Sequence, residues 1–154
     1  MNRRTPAPKP TSAQALSRFA TRAQRAAGVA GEVNIYVTSS REMQALNRRY
    51  RRKNKPTDVL SFPLPAPGLG GDIAISVEIA AGSAEALGHS LETEVKILIL
   101  HGLLHLAGFD HETDDGEMRE RETALRRQLK LPVALIERTQ RHAATGGKRV
   151  GRRV

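Results

Sequence analysis

The sequence predicts an α+β fold, a single domain in which a mixed β-sheet is packed with helices. Three observations carry that expectation. The strand-like segments lie in the first half of the 154-residue chain and helical patterns dominate the second. The clearest strand candidates alternate apolar and polar residues, as a sheet with one covered face requires. The length suits one domain with a core of its own, and the chain has no cysteine to staple it. Two layers, helices on a sheet, would bury these patterns most simply.

The elements follow in order. Residues 1–10, with Pro6, Pro8 and Pro10, read as an extended, flexible basic arm. Thr11 or Ser12 can cap a helix to about Ala27, because Ala15, Leu16, Phe19, Ala20 and Ala23 recur at helical spacing. Glu32 to Thr38 alternates, with Val33, Ile35 and Val37 on one face, so it reads as a strand. Ser39 or Ser40 starts a helix carrying Met43, Leu46 and Tyr50, which ends before Lys55-Pro56. Val59 to Phe62 is a short strand closed by Pro63, and residues 64–71 form a Pro/Gly loop. Asp72 to Val77 is a third strand, followed by a helical stretch to about Leu87. Ser90 caps the next helix, whose first turns carry Glu92 and Glu94 toward the positive end of the dipole. That helix reaches Ala107 and stops at Gly108. A polar helix covers about Asp115 to Leu129, and a short one is expected over Pro132 to Thr139. The domain is therefore placed at residues 11–142, with a disordered basic tail over 143–154.

Composition narrows the function classes. Aromatics are 3% of residues and Trp is absent, so aliphatic side chains must build the core. Without cysteine there is no disulfide framework and no thiolate metal site, which suits a reducing, cytoplasmic setting. The N-terminus lacks the apolar core of a signal peptide. Val95 to Ala107 is the one long apolar stretch, but it is too short to span a bilayer and carries two histidines. No membrane partner is expected.

The net charge of +9 is unevenly placed. Arg3, Arg4 and Lys9 precede the domain, and Arg138, Arg141, Lys148, Arg149, Arg152 and Arg153 end the chain, with no acid among either group. Those cations equal the whole excess, so the remainder is neutral overall. Basic arms of this kind either attract nucleic acid through its phosphates or simply solubilise. Within the domain, Arg48, Arg49, Arg51, Arg52, Lys53 and Lys55 form a basic run, and acids crowd between Asp110 and Glu122. The basic run reads either as an RNA-binding surface or as a solvated helix end favoured by the dipole.

The chemistry is carried by His101-Gly-Leu-Leu-His105-Leu-Ala-Gly108-Phe-Asp-His111. Residues four apart on a helix are neighbours on one face, so His101 and His105 can share an ion. Gly108 lets the backbone reverse, and His111 can return as a third ligand. Three imidazoles with no fourth protein ligand describe an open, catalytic site, whereas structural zinc sites are closed by four ligands. A single histidine on an apolar helix is more often a buried, hydrogen-bonded residue, but three at this spacing argue for a metal. The ligand spacing matches the metzincin protease pattern H-E-x-x-H-x-x-G-x-x-H, except that Gly102 stands where the protease has its general-base Glu. Gly102 could reflect close packing of another element or space for a bulky substrate. A phosphodiester substrate suits a metal without that Glu, since the ion polarises a phosphoryl oxygen and cations neutralise the phosphate. With few aromatics for stacking, recognition would lean on phosphates and RNA shape.

The same eleven residues resemble the signature of the YbeY family of endoribonucleases, H-G-x-L-H-L-x-G-Y/F-D-H, at every fixed position. Leu46-Asn-Arg-Arg-Tyr-Arg51 with Lys55-Pro-Thr-Asp-Val-Leu-Ser-Phe-Pro63, and Gly71-Asp-Ile-Ala-Ile-Ser76, are similar to two further family blocks. The resemblance spans roughly residues 30–130. It implies one zinc ion on His101, His105 and His111, although three imidazoles also suit nickel, copper or cobalt. It implies a role in activity for Arg51, with His105 in the catalytic centre. It implies single-stranded RNA as substrate, in 16S rRNA 3′-end maturation and ribosome quality control, with the small ribosomal subunit as partner. It implies a mixed sheet with the metal helix in the core. Asp110, Glu112 and Asp114 are close in sequence and could orient a histidine. Two other readings stand beside this one: a ribosome-assembly factor whose metal is mainly structural, and a metalloprotease with a base from elsewhere in the chain.

Overall fold

The computed structural model describes residues 13–51, 57–65, 69–110 and 113–133. Helix α1 (Ala13–Ala27) leads to strand β1 (Val33–Thr38) and helix α2 (Ser40–Arg51). Strands β2 (Val59–Pro63) and β3 (Gly71–Ser76) follow, and then helices α3 (Val77–Leu87), α4 (Leu91–Leu106) and α5 (Glu117–Gln128). The fold is α+β, with one small mixed sheet. The strand order is β1-β3-β2; β1 runs parallel to β3, from Val33↔Gly71 to Thr38↔Ser76. β2 runs antiparallel to β3, from Val59↔Ile75 to Pro63↔Gly71. Pro63 is the last residue of β2 rather than a stop after it, because β2 is an edge strand and an edge tolerates a missing N–H.

Local chemistry sets the element ends. The Ser39 hydroxyl accepts from Glu42 N at 3.1 Å, so Ser39 is the residue that starts α2. Ser76 ends β3 and at once caps α3, accepting from Ile79 N at 3.1 Å, so β3 stops one residue before Val77. Ser90 caps α4 through Thr93 N at 3.0 Å. α5 begins at Glu117, after Gly116 in a left-handed conformation (φ 103°), rather than at Asp115. Residues 131–133 are not helical, and the rest of the short helix expected over 132–139 lies outside the described residues, as do the arm and the tail.

The alternation of β3 divides the core. Ile73 and Ile75 face one side, where they pack with Phe19 and Ala23 of α1, Ala80 of α3, the apolar length of α4, and Met118 and Leu125 of α5. Ala74 faces the other side, with Leu60, against Met43 and Leu46 of α2. Two layers are thus an undercount: the Met43–Leu46 stripe makes α2 a third layer across the sheet. α4 is the central helix. Its Val95, Ile97 to Leu100, Leu103, Leu104 and Leu106 are all buried, each worth about 1.5–3 kcal/mol on full burial. It runs beside β3 until Leu106 meets Gly71, where an added Cβ would strike the Phe62 carbonyl and approach Leu106 Cδ2 at 3.1 Å. Gly71 also sits at φ 146°, so the first residue of β3 must be glycine on two counts. Among the described residues no helix is long and apolar enough to cross a membrane.

Candidate metal centre

A helix buried almost all round leaves one narrow stripe for polar groups, and on α4 that stripe carries Glu94, His101 and His105. His101 and His105 are half-buried, with ring centroids 4.9 Å apart and planes at 76°. Each ring is held through Nδ1. His101 Nδ1 pairs with Glu122 Oε1 of α5 at 3.2 Å, and His105 Nδ1 with the Phe109 carbonyl at 3.1 Å. That carbonyl is available because the chain turns back through Gly108 (φ 106°), with Phe109 N on Leu104 O at 3.0 Å. An Nδ1–H donor leaves Nε2 as the lone-pair nitrogen, the usual state of a metal-binding histidine. Both Nε2 atoms are buried. This donor set fits a zinc ion: two adjacent imidazoles, each fixed by a partner behind it. His111 lies outside the described residues, so the full three-histidine set is not seen, and among the described residues no group of three potential ligands gathers.

Glu122 was not legible as a site residue, because its partner is 21 positions away on another helix. The only local trace was an i,i+4 pair with Arg126. Arg126 donates Nη2 to Glu122 Oε2 at 2.7 Å and Nε at 3.2 Å, and Nη1 to Pro132 O at 3.2 Å. Burial alone would raise the Glu122 carboxyl. The contacts with His101 and with the Arg126 guanidinium outweigh it and hold the group down at about 2. The neighbouring carboxylates of the acidic run do other work. Asp114 accepts from Gly116 N and Met118 N, both at 2.9 Å, and so starts α5. Asp110 is exposed, and Glu112 lies outside the described residues.

Glu94 likewise departs from the expected dipole role. Glu92 takes the surface position, 3.0 Å from Lys96. Glu94 is 6% exposed and accepts from His89 Nε2 at 2.7 Å. Burial raises its carboxyl above the ordinary value; His89 and Arg126 pull it back in part, and nearby Asp58 pushes it further up. Asp58 is itself 3% exposed, and its Oδ1 has no hydrogen-bond partner among the described residues.

Gly102 has the packing explanation of the two considered. A Cβ there would meet Ile73 Cγ2 at 2.9 Å, so the glycine lets α4 lie against β3. Ser61 Oγ donates to the Gly102 carbonyl at 3.2 Å between the same two layers. Of the basic run, Arg48 and Arg49 are exposed on α2, on the opposite face of the sheet from α4. Arg51 is the last residue of α2, while Arg52, Lys53 and Lys55 lie outside the described residues.

The family model of endoribonuclease YbeY matches residues 5–130. A Koribacter versatilis protein named endoribonuclease YbeY is 60% identical over 138 residues, which are 90% of this chain and 91% of that protein. A Solibacter usitatus protein of the same name is 46% identical over 134 residues, 87% of this chain and 90% of its relative. The solution structure of TM1509 from Thermotoga maritima superposes with a TM-score of 0.56 at 28% identity, covering 91% of each chain.

Proposed function

The chain belongs to the YbeY family of endoribonucleases, and from that premise we propose that it is a zinc-dependent endoribonuclease of single-stranded RNA. The proposal extends to 16S rRNA 3′-end maturation and ribosome quality control in the cytoplasm, with the small ribosomal subunit as partner. The observation that carries it is the pair His101 and His105 on one face of α4, each with Nδ1 engaged.

In this reading His101, His105 and His111 hold one zinc ion. A bound ion polarises a phosphoryl oxygen and offsets charge developing on the phosphate. The chain's own groups do the rest. Glu122 and the Phe109 carbonyl keep the two rings in the Nδ1–H state and fix their rotation. Arg51 binds the scissile or an adjacent phosphate and stabilises negative charge in the transition state. Arg48, Arg49, Arg52, Lys53 and Lys55 hold flanking phosphates, and the basic arm and tail add sequence-independent attraction. Position 102 faces Ile73 and has no room for a glutamate, so a protease reading would still need its base from elsewhere in the chain.

Cleavage of a labelled single-stranded RNA tests this, with metal-replete wild type, chelated wild type, His105→Ala and Arg51→Ala in parallel. Activity should fall at least about 100-fold in the last three, as removal of one transition-state charge partner commonly does. Arg51→Ala should retain zinc. Equal cleavage by all four would mark a contaminating nuclease and favour the assembly-factor reading. In that case metal-free protein should still bind the small subunit.

A further inference from the structure

Behind His101 stands a chain of buried charge. His101 Nδ1 meets Glu122 Oε1 at 3.2 Å; Glu122 Oε2 accepts two N–H groups from Arg126, at 2.7 and 3.2 Å; and Arg126 Nη1 is anchored on Pro132 O at 3.2 Å. The three side chains are 14%, 12% and 9% exposed, so none is a surface charge held loosely. An i,i+4 Glu–Arg pair placed only to support a helix would lie in solvent and contribute about 0.3–0.5 kcal/mol. This one is turned inward, spends one carboxylate oxygen on the arginine and offers the other to a ring on a different helix. His105 Nδ1 rests instead on the backbone carbonyl of Phe109.

We infer that Glu122 and Arg126 are positioning residues for the metal: Arg126 pins one oxygen of Glu122, so that the other fixes the rotation and tautomer of the His101 ring. The inference rests on the zinc reading above. Its chemistry depends on the fork of the guanidinium. Two donors of one rigid guanidinium converge on Oε2 and anchor that oxygen, a geometry that a lysine's ammonium does not reproduce. Glutamine at 122 would likewise fail. Its one acceptor oxygen cannot serve both the arginine and the imidazole, and its amide would turn a donor toward one of them.

The test measures zinc dissociation constants of the full chain by competition with a chromophoric chelator, and the visible absorption of the cobalt-substituted protein. The variants are His101→Ala, Glu122→Gln, Arg126→Lys and the double Glu122→Gln/Arg126→Lys, each checked for folding by circular dichroism. Glu122→Gln should weaken zinc binding about 10- to 100-fold, and Arg126→Lys about 10-fold, within the range typical for residues behind a metal ligand. The double variant should be no weaker than Glu122→Gln alone, because both act through one ring. The cobalt spectrum of Arg126→Lys should shift, which a merely stabilising arginine would not cause; that reading stands alone if Glu122→Gln does not fold. Wild-type zinc affinity in either single variant overturns the inference, as do losses that add in the double variant. If His101→Ala also binds zinc as wild type does, the three-histidine reading itself fails.

Discussion

Gly102 follows a metal-ligand candidate directly in sequence yet points away from it, into the γ2 and δ1 methyls of Ile73. Replacing it with alanine sets two effects against each other. Helix propensity gains about 1 kcal/mol. Forcing a methyl against a fully buried isoleucine costs about 1–3 kcal/mol. Gly102→Ala should therefore lose up to about 2 kcal/mol in urea unfolding and leave zinc affinity unchanged. A rise in stability would mean that Ile73 yields at no cost. The glycine's oddness inside a helix could be read from the chain; its cause could not, because Ile73 is a strand residue brought there only by the fold. Glu122 teaches the same lesson for the site. Spacing identified the ring positions, since helical geometry is local. The carboxylate behind His101 was invisible, and three nearer acids were better candidates on sequence distance alone.

At the scale of elements, caps and alternation were legible because they are short-range. Ser90, Gly108 and the Ile73/Ile75 face predicted α4 and β3 to within a residue or two. What α2 would cover was not legible, since a Met–Leu stripe does not say which face of a sheet it meets. Nor was the burial of Glu94, whose position in a first helical turn is equally good for an exposed dipole partner. Its burial makes a prediction about pH. The folded protein holds the Glu94 proton more tightly than the unfolded chain, whose carboxyl titrates near 4.5. Stability should then fall as pH rises from about 4.5 through the higher folded value, and stay lower above it. Glu94→Gln keeps an acceptor for His89 and removes the charge. Its urea midpoint should match wild type below pH 4.5 and exceed it at neutral pH. Parallel midpoint curves for the two proteins would show that burial of this charge costs the fold nothing.

Taken whole, the chain is neutral over residues 11–137 and basic at both ends, a division visible in the sequence because charge needs no fold to be counted. If the termini draw in RNA, deleting residues 143–154 should weaken RNA binding most at low salt and little at high salt. The slope of log affinity against log salt should fall by about 0.7 for each phosphate of a single strand that the shortened chain no longer neutralises. An unchanged slope would leave that segment no part in binding.

α4 lies at the centre of the fold. The helix touches α1, α3, α5 and both β2 and β3, so no part of the molecule can open it without dismantling the core. Its backbone amides should be among the slowest of all to exchange with deuterated water, at a rate set by global unfolding. The rings it carries are thus built into the packed core of the described residues, and if they hold zinc, a protein stripped by chelation should rebind it without refolding.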